Sequence, residues 1–277
     1  MISGMALRVL SVVAALVCCA LASCSGDTNG STGPPGTPGP GEYLPGLTAT
    51  VDLVDDPRAV VVVIPGGAWA QVWDPPGFRP LAEALADAGL AAVQVSYSTA
   101  ETRAHYPRPL DDVVCAAAFA AEQVPGVPVV LVGHSAGAHL AVLAGLRPDS
   151  GSGAECPYPA HAPDAVVGLA GPYDVERLGE LAENLFGMPK RADREVWRAG
   201  NPMTWVDERP DVPFLLVHGT ADNLPATYAQ NMARDLDAAG HPVTLEELSG
   251  REHNDLYQAD VVADLIIDWI DSAVVDS

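Results

Sequence analysis

From residue 47 onward the hydrophobic and polar positions switch repeatedly between two patterns. Residues 59–64 are continuously apolar and β-branched, as a strand buried on both faces must be. Residues 91–96, 127–132, 165–169, 213–217 and 242–248 also read as strands, the second of these despite Pro128. Between them, apolar residues recur at helical spacing over 78–88, 109–123, 136–146 and 225–239, and once more over 256–274. Gly89 and Gly240 end two of these helices, and Pro148 stops a third. Strands that alternate with helices predict one α/β domain over 47–277, with a mostly parallel sheet covered by helices on both faces.

The chain ahead of that domain has a different character. Residues 1–8 carry one positive charge, Arg8, and residues 9–22 are almost entirely apolar. Such a run is short for a membrane span of about 20 residues and suits the core of a signal peptide. It ends in Leu21-Ala22-Ser23-Cys24, similar to a bacterial lipobox. The pattern predicts a lipoprotein signal peptide over 1–23 and lipidation of Cys24, which would tether the protein to the outer side of the bacterial cell envelope. An ordinary secretory signal, giving a secreted protein, is the alternative. Residues 24–46 read as a linker, because its Gly/Pro-rich centre favours neither helix nor sheet.

Charge narrows the list of partners. Acidic residues outnumber basic ones 36 to 14 in the 277-residue chain, a formal charge of −22. A polyanion needs a basic face, so nucleic-acid binding is not expected, and an anionic lipid surface would repel the domain. Contact with a membrane is expected only through the anchor at Cys24. Cys115 and Cys156 also remain after export, and an oxidising compartment permits them to pair. Cys115 equally fits a buried thiol, since it lies in an apolar helical stretch.

Candidate chemistry clusters where strands end. After the strand at 127–132 comes Gly133-His134-Ser135-Ala136-Gly137, and a helix starts at once. G-x-S-x-G between strand and helix makes a sharp turn that exposes the serine, with the helix N-terminus beside it. Ser135 is therefore the candidate nucleophile, and it requires a base. Of the seven histidines, His253 lies in a polar loop between the last strand and the last helix, at the edge where such sheets carry their sites. His139 reads as packed, His134 as turned away from Ser135, and His105, His161 and His241 as surface loop residues. His218 ends a strand. The carboxylate that orients the base is assigned to Asp222, in the loop after the penultimate strand; Asp174 is the rival, and Asp255 is too near His253 in sequence. The order Ser135, Asp222, His253 is that of an α/β-hydrolase. Donors for an oxyanion are expected from the backbone of Gly67 and Ala68, in Pro65-Gly66-Gly67-Ala68-Trp69, and from Ala136.

These motifs resemble α/β-hydrolase esterases with an H-G-G-x-W oxyanion loop, a group that includes feruloyl-esterase-like and kynurenine-formamidase-like enzymes. The resemblance covers residues 48 to 275. It implies a serine esterase with nucleophile Ser135, acid Asp222 in His218-Gly219-Thr220-Ala221-Asp222, and base His253. Pro65 stands where the family has histidine, which keeps the backbone donors and weakens any transfer of substrate identity. The expected reaction is hydrolysis of a small-molecule carboxylic ester through an acyl-enzyme. An arylformamidase or other amidase would use the same groups, and a catalytically inactive surface binding protein is the reading from outside enzymology. Trp69 and Tyr173 are candidate pocket residues, and residues 172–210 a candidate cap. No cofactor and no metal are expected, and the oligomeric state is left open.

Overall fold

The protein is described here by a computed structural model covering residues 41–151 and 156–275. The expected signal peptide, Cys24 and most of the linker lie outside these residues. Among the described residues, eight strands form one sheet in the order β1-β2-β4-β3-β5-β6-β7-β8. β1 is Glu42–Leu44, β2 Leu47–Asp52, β3 Val60–Ile64, β4 Ala91–Val95, β5 Val129–His134, β6 Ala165–Leu169, β7 Phe214–Gly219 and β8 Val243–Leu248. β1 pairs antiparallel with β2, and β2 with β4, while every pair from β4 onward is parallel.

The parity of each strand divides the core. Val60, Val62 and Ile64 of β3 join Val129 and Leu131 of β5 on one face, together with Phe214 and Leu216 of β7. Val61 and Val63, Val130 and Val132, Leu215 and Val217 occupy the other. Because both faces are covered, these strands carry no polar alternation. α2 (Arg108–Gln123), α3 (Ala136–Leu146) and α6 (Thr227–Ala239) pack on the first face, while α1 (Arg79–Asp87) and α7 (Ala259–Ile270) pack on the second. Each fully buried valine or leucine contributes about 1.5–3 kcal/mol against the cost of ordering the chain. All eleven residues of α3 are buried. That explains its run of Ala, Gly, Leu and Val, broken only by His139, since a helix enclosed on every side has no polar face to show.

Three expectations about the fold change in the structure. The linker ends sooner than residue 46: Tyr43 is fully buried in β1, and its hydroxyl donates to the Ser96 carbonyl at 2.8 Å. The helix expected over 256–274 is divided, because Gln258 is extended (φ −74°, ψ 129°) between a 3-10 turn at His253–Tyr257 and α7. His241 is buried and not a surface residue, with its ring nitrogens 3.1 Å and 2.8 Å from the carbonyls of Val212 and Val206. Residues 172–210, the candidate cap, form short helices packed on the domain, and Pro172 and Leu181 within this segment line a cavity at Ser135. The helices include α4 (Glu183–Phe186) and α5 (Arg194–Ala199), and Phe186 stacks on buried Trp197 with ring centroids 4.4 Å apart. Among the described residues no helix is long and apolar enough to cross a membrane.

Cys115 on α2 and Cys156 are bonded, with Cα atoms 5.6 Å apart and a sequence separation of 41. The closed loop contains β5, Ser135 and α3, so the bond removes conformations of the unfolded chain around the site. In the chain-entropy view a loop of this length stabilises by about 3–4 kcal/mol. The double variant Cys115→Ser/Cys156→Ser is expected to melt about 10 °C lower than the oxidised protein. An unchanged melting temperature by calorimetry would show that the bond contributes nothing.

Candidate active site

The local sequence forces Ser135 into a rare conformation. β5 runs to His134, paired with β3 and β6, and α3 begins at Ala136. The reversal between them is made by one residue, Ser135, at φ 54°, ψ −118°. A non-glycine residue held there costs about 1–3 kcal/mol, which the surrounding packing must supply. The flanking glycines make it feasible. A Cβ on Gly133 would overlap the Gly137 backbone, and one on Gly137 would overlap the carbonyls of Ile64 and Pro65. The Ser135 N–H donates to the Leu169 carbonyl at 2.8 Å. The turn is thereby pinned to β6 at the carboxyl edge of the sheet.

His253 arrives from the loop after β8. Its Nε2 lies 2.9 Å from Ser135 Oγ and its Nδ1 2.8 Å from Asp222 Oδ2. The Asp222 side chain is fully buried, whereas that of His253 is one-quarter exposed. The other Asp222 oxygen, Oδ1, accepts the Leu224 N–H at 2.7 Å, so both carboxylate oxygens are held. His218, the first residue of the H-G-x-x-D run, is buried and bonded through Nε2 to the Leu224 carbonyl at 2.8 Å. It secures the loop that carries Asp222. The rival carboxylates are engaged elsewhere: Asp174 accepts from Asn201 at 3.3 Å, and Asp255 from the Glu252 N–H at 2.8 Å.

The loop after β3 faces this trio. Gly67, Ala68 and Trp69 all have positive φ, at 129°, 53° and 55°. At Gly67 only glycine fits, because a Cβ would overlap the Gln71 carbonyl. The loop's carbonyls are turned into the protein. That of Gly67 accepts from Ala70, that of Ala68 from Asn184 Nδ2 at 3.2 Å, and that of Trp69 from Ala100 at 2.9 Å. Ala136, at the first position of α3, has an N–H with no intrahelical acceptor. The three residues expected to donate to an oxyanion therefore border the serine.

Ser135 and His253 open into two adjoining cavities. One, of about 340 Å³, is lined by Gly67, Ala68, Gln71, Trp73, His134 and Asn254 as well. The other, of about 270 Å³, is lined by Ala68, Trp69, Ala136, Pro172, Leu181, Asn223 and Leu224. Trp69 does border a cavity, as expected, although it is almost wholly buried and packs edge-on against His139, centroids 5.0 Å apart. Tyr173 does not. Its ring is buried against Gly168 and Gly171, where a Cβ on either would strike the ring or its hydroxyl. Gly168 belongs to β6, so the ring packs back onto the strand that precedes it, which a reading of strand ends alone does not reveal. Sequence reasoning missed Leu181, Asn184, Asn223, Trp73 and Gln71. The first two come from the packed 172–210 segment, and no local pattern distinguishes them. Trp73, close behind the glycine loop, carried a weak signal.

His139 is packed as expected, and its burial has a consequence for acid stability. Burial pushes its pKa down to about 4, below the ordinary value of about 6.5, while Nε2 bonds the Gly200 carbonyl at 2.9 Å. Between pH 6.5 and about 4 the unfolded chain binds this proton and the native one does not. Stability contributed by the neutral ring is therefore lost as pH falls through that window. His139→Gln keeps a donor and removes the titration. Its stability should fall less steeply with acid, by about 1.4 kcal/mol per pH unit relative to the unsubstituted protein. Urea unfolding at pH 4.5, 5.5 and 6.5 checks this, and parallel slopes would refute it.

Known proteins share this framework. The family model described as BD-FAE matches residues 52–236. Esterase LipC of Mycobacterium tuberculosis (strain ATCC 25618 / H37Rv) is 31% identical over 221 residues, covering 73% of this chain and 54% of that protein. Esterase LipQ of the same organism is 29% identical over 242 residues, covering 78% of this chain and 55% of that one. The chain thus spans about half the length of the curated relatives it matches. Among solved structures, an acetyl ester-xyloside bifunctional hydrolase from Caldicellulosiruptor lactoaceticus superposes with a TM-score of 0.68 at 19% identity, covering 82% of this chain and 88% of that one. Thermogutta terrifontis esterase 2 phosphonylated by sarin gives 0.67 at 20% identity, covering 87% and 96%. With a family model matched over most of the domain and this sheet order beneath it, the chain belongs to the BD-FAE family and has the α/β-hydrolase fold.

Proposed function

We propose that this protein hydrolyses small carboxylic esters through Ser135, His253 and Asp222. The observation that carries the reading is the unbroken chain of short hydrogen bonds from Ser135 Oγ through His253 to Asp222. Asp222 holds Nδ1–H, which leaves the Nε2 lone pair facing the hydroxyl. His253 takes the proton as Ser135 attacks the ester carbonyl. The N–H groups of Gly67, Ala68 and Ala136 receive the oxyanion. His253 then protonates the leaving alcohol, and a water molecule activated the same way releases the acid from the acyl-enzyme. The names of LipQ and LipC, both esterases, support the bond type.

Cavity size supports a small substrate. Two lobes of about 340 and 270 Å³ meet at the serine, and each is at the low end for a site that holds a drug-sized molecule. A p-nitrophenyl ester series from acetate to palmitate is the test. Turnover should be highest for acetate to butyrate and fall steeply beyond octanoate. A palmitate optimum would contradict the reading, and turnover of amides with none of esters would assign the same groups to an amidase. The proposal includes export and a lipid anchor at Cys24. It rests on the apolar run and Leu21-Ala22-Ser23-Cys24, and the Cys115–Cys156 bond fits an oxidising compartment.

A further inference from the structure

We infer that His134 is a positioning residue for His253: its Nε2–H holds the main-chain carbonyl of His253 and so fixes the base above Ser135. The inference rests on the reading of Ser135, His253 and Asp222 given above. His134 Nε2 lies 2.9 Å from the His253 carbonyl oxygen. A carbonyl only accepts, so Nε2 carries the proton and donates it. The ring is buried between Phe78, Tyr257 and the His253 ring, with centroids 5.8, 5.1 and 4.9 Å away. Tyr257 stacks in turn on Phe78 at 4.4 Å, closing the slot. Burial first, and the neighbouring His253 second, push the His134 pKa down to about 3. The ring is therefore neutral at pH 7, and it does not compete with His253 for the proton of Ser135.

The placement has mechanical sense. His134 directly precedes Ser135, so the same two residues carry the nucleophile and the clamp on its base. The base sits in a loop whose neighbours Arg251, Glu252 and Asn254 are exposed. Main-chain bonds hold that loop at Gly250, to Thr220 Oγ1, and at Arg251, to the Ala221 N–H. At His253 itself the main-chain carbonyl is held by His134. A displacement of about 1 Å at a reacting group can lower a rate by about 100-fold. A carbonyl anchored to the residue beside the nucleophile prevents that displacement.

The test compares His134→Phe, which keeps a ring and loses the donor, with His134→Gln, which restores a donor. Both are assayed in the full-length protein on p-nitrophenyl acetate. His134→Phe should lower kcat by about 10–100-fold with KM within about twofold, and His134→Gln should recover kcat to within about threefold of the unsubstituted protein. A His134→Phe kcat equal to the unsubstituted value, a loss confined to KM, or equal losses in the two variants would overturn the inference. Nitrogen-15 NMR of the unsubstituted protein decides it without any variant: a neutral Nε2–H tautomer of His134 at pH 7 is required, and an Nδ1–H tautomer overturns it. Ser135→Ala and His253→Ala separate this from the parent reading. If both abolish turnover while His134→Phe does not slow it, this inference alone fails; if either retains turnover, the parent reading fails.

Discussion

Ser135→Ala is expected to lower kcat on p-nitrophenyl acetate by about 10⁴–10⁶-fold, the range set by loss of a nucleophile that works as one unit with its base. The fold should survive this change. The Ser135 side chain is not what makes the turn; the close approaches of Gly133 and Gly137 to the neighbouring backbone are. Alanine must still adopt φ 54° at that position, and the same bond from its N–H to the Leu169 carbonyl remains available. The variant should therefore melt within a few degrees of the unsubstituted protein while losing turnover. A variant with more than about 1% of the original kcat would place the nucleophile elsewhere.

Asp222→Asn carries the second-largest expected effect, a fall of about 10⁴-fold in kcat with KM little changed. The substitution is nearly isosteric in a fully buried position. It changes which proton sits where. The carboxylate accepts Nδ1–H of His253 at 2.8 Å. Its other oxygen already accepts the Leu224 N–H at 2.7 Å, so an asparagine placed there keeps its oxygen toward Leu224 and turns its N–H₂ toward Nδ1. That arrangement favours the Nε2–H tautomer, which cannot take a proton from Ser135. Steady-state kinetics and a thermal melt check the outcome together. A loss of less than about tenfold would mean that Asp222 secures its loop and does not set the tautomer.

The site was more legible than its surroundings, for physical reasons. Gly133, Ser135 and Gly137 are readable because a one-residue reversal between a buried strand and a buried helix has few sequence solutions. Asp222 and His253 are readable because consecutive parallel strands present their following loops at one edge. The core strands announce themselves by unbroken apolar runs, since both faces are covered. β1 is three residues long and follows a proline- and glycine-rich stretch in the sequence, so local composition points to linker. Tyr173 and His241 were misplaced because burial in each is decided by distant chain: Gly168 and Gly171 beneath one ring, the carbonyls of Val206 and Val212 around the other. The contact of Asn184 with Ala68 spans 116 residues, and that of His134 with His253 spans 119. No periodicity records such pairs.

The most direct test of the account is the site of covalent capture by a fluorophosphonate, mapped by mass spectrometry after stoichiometric labelling of the full-length protein. The account predicts one adduct, on Ser135, with esterase activity lost in proportion to its formation and no adduct in Ser135→Ala or His253→Ala. An adduct on another residue, or esterase activity that persists after Ser135 is fully labelled, would contradict it.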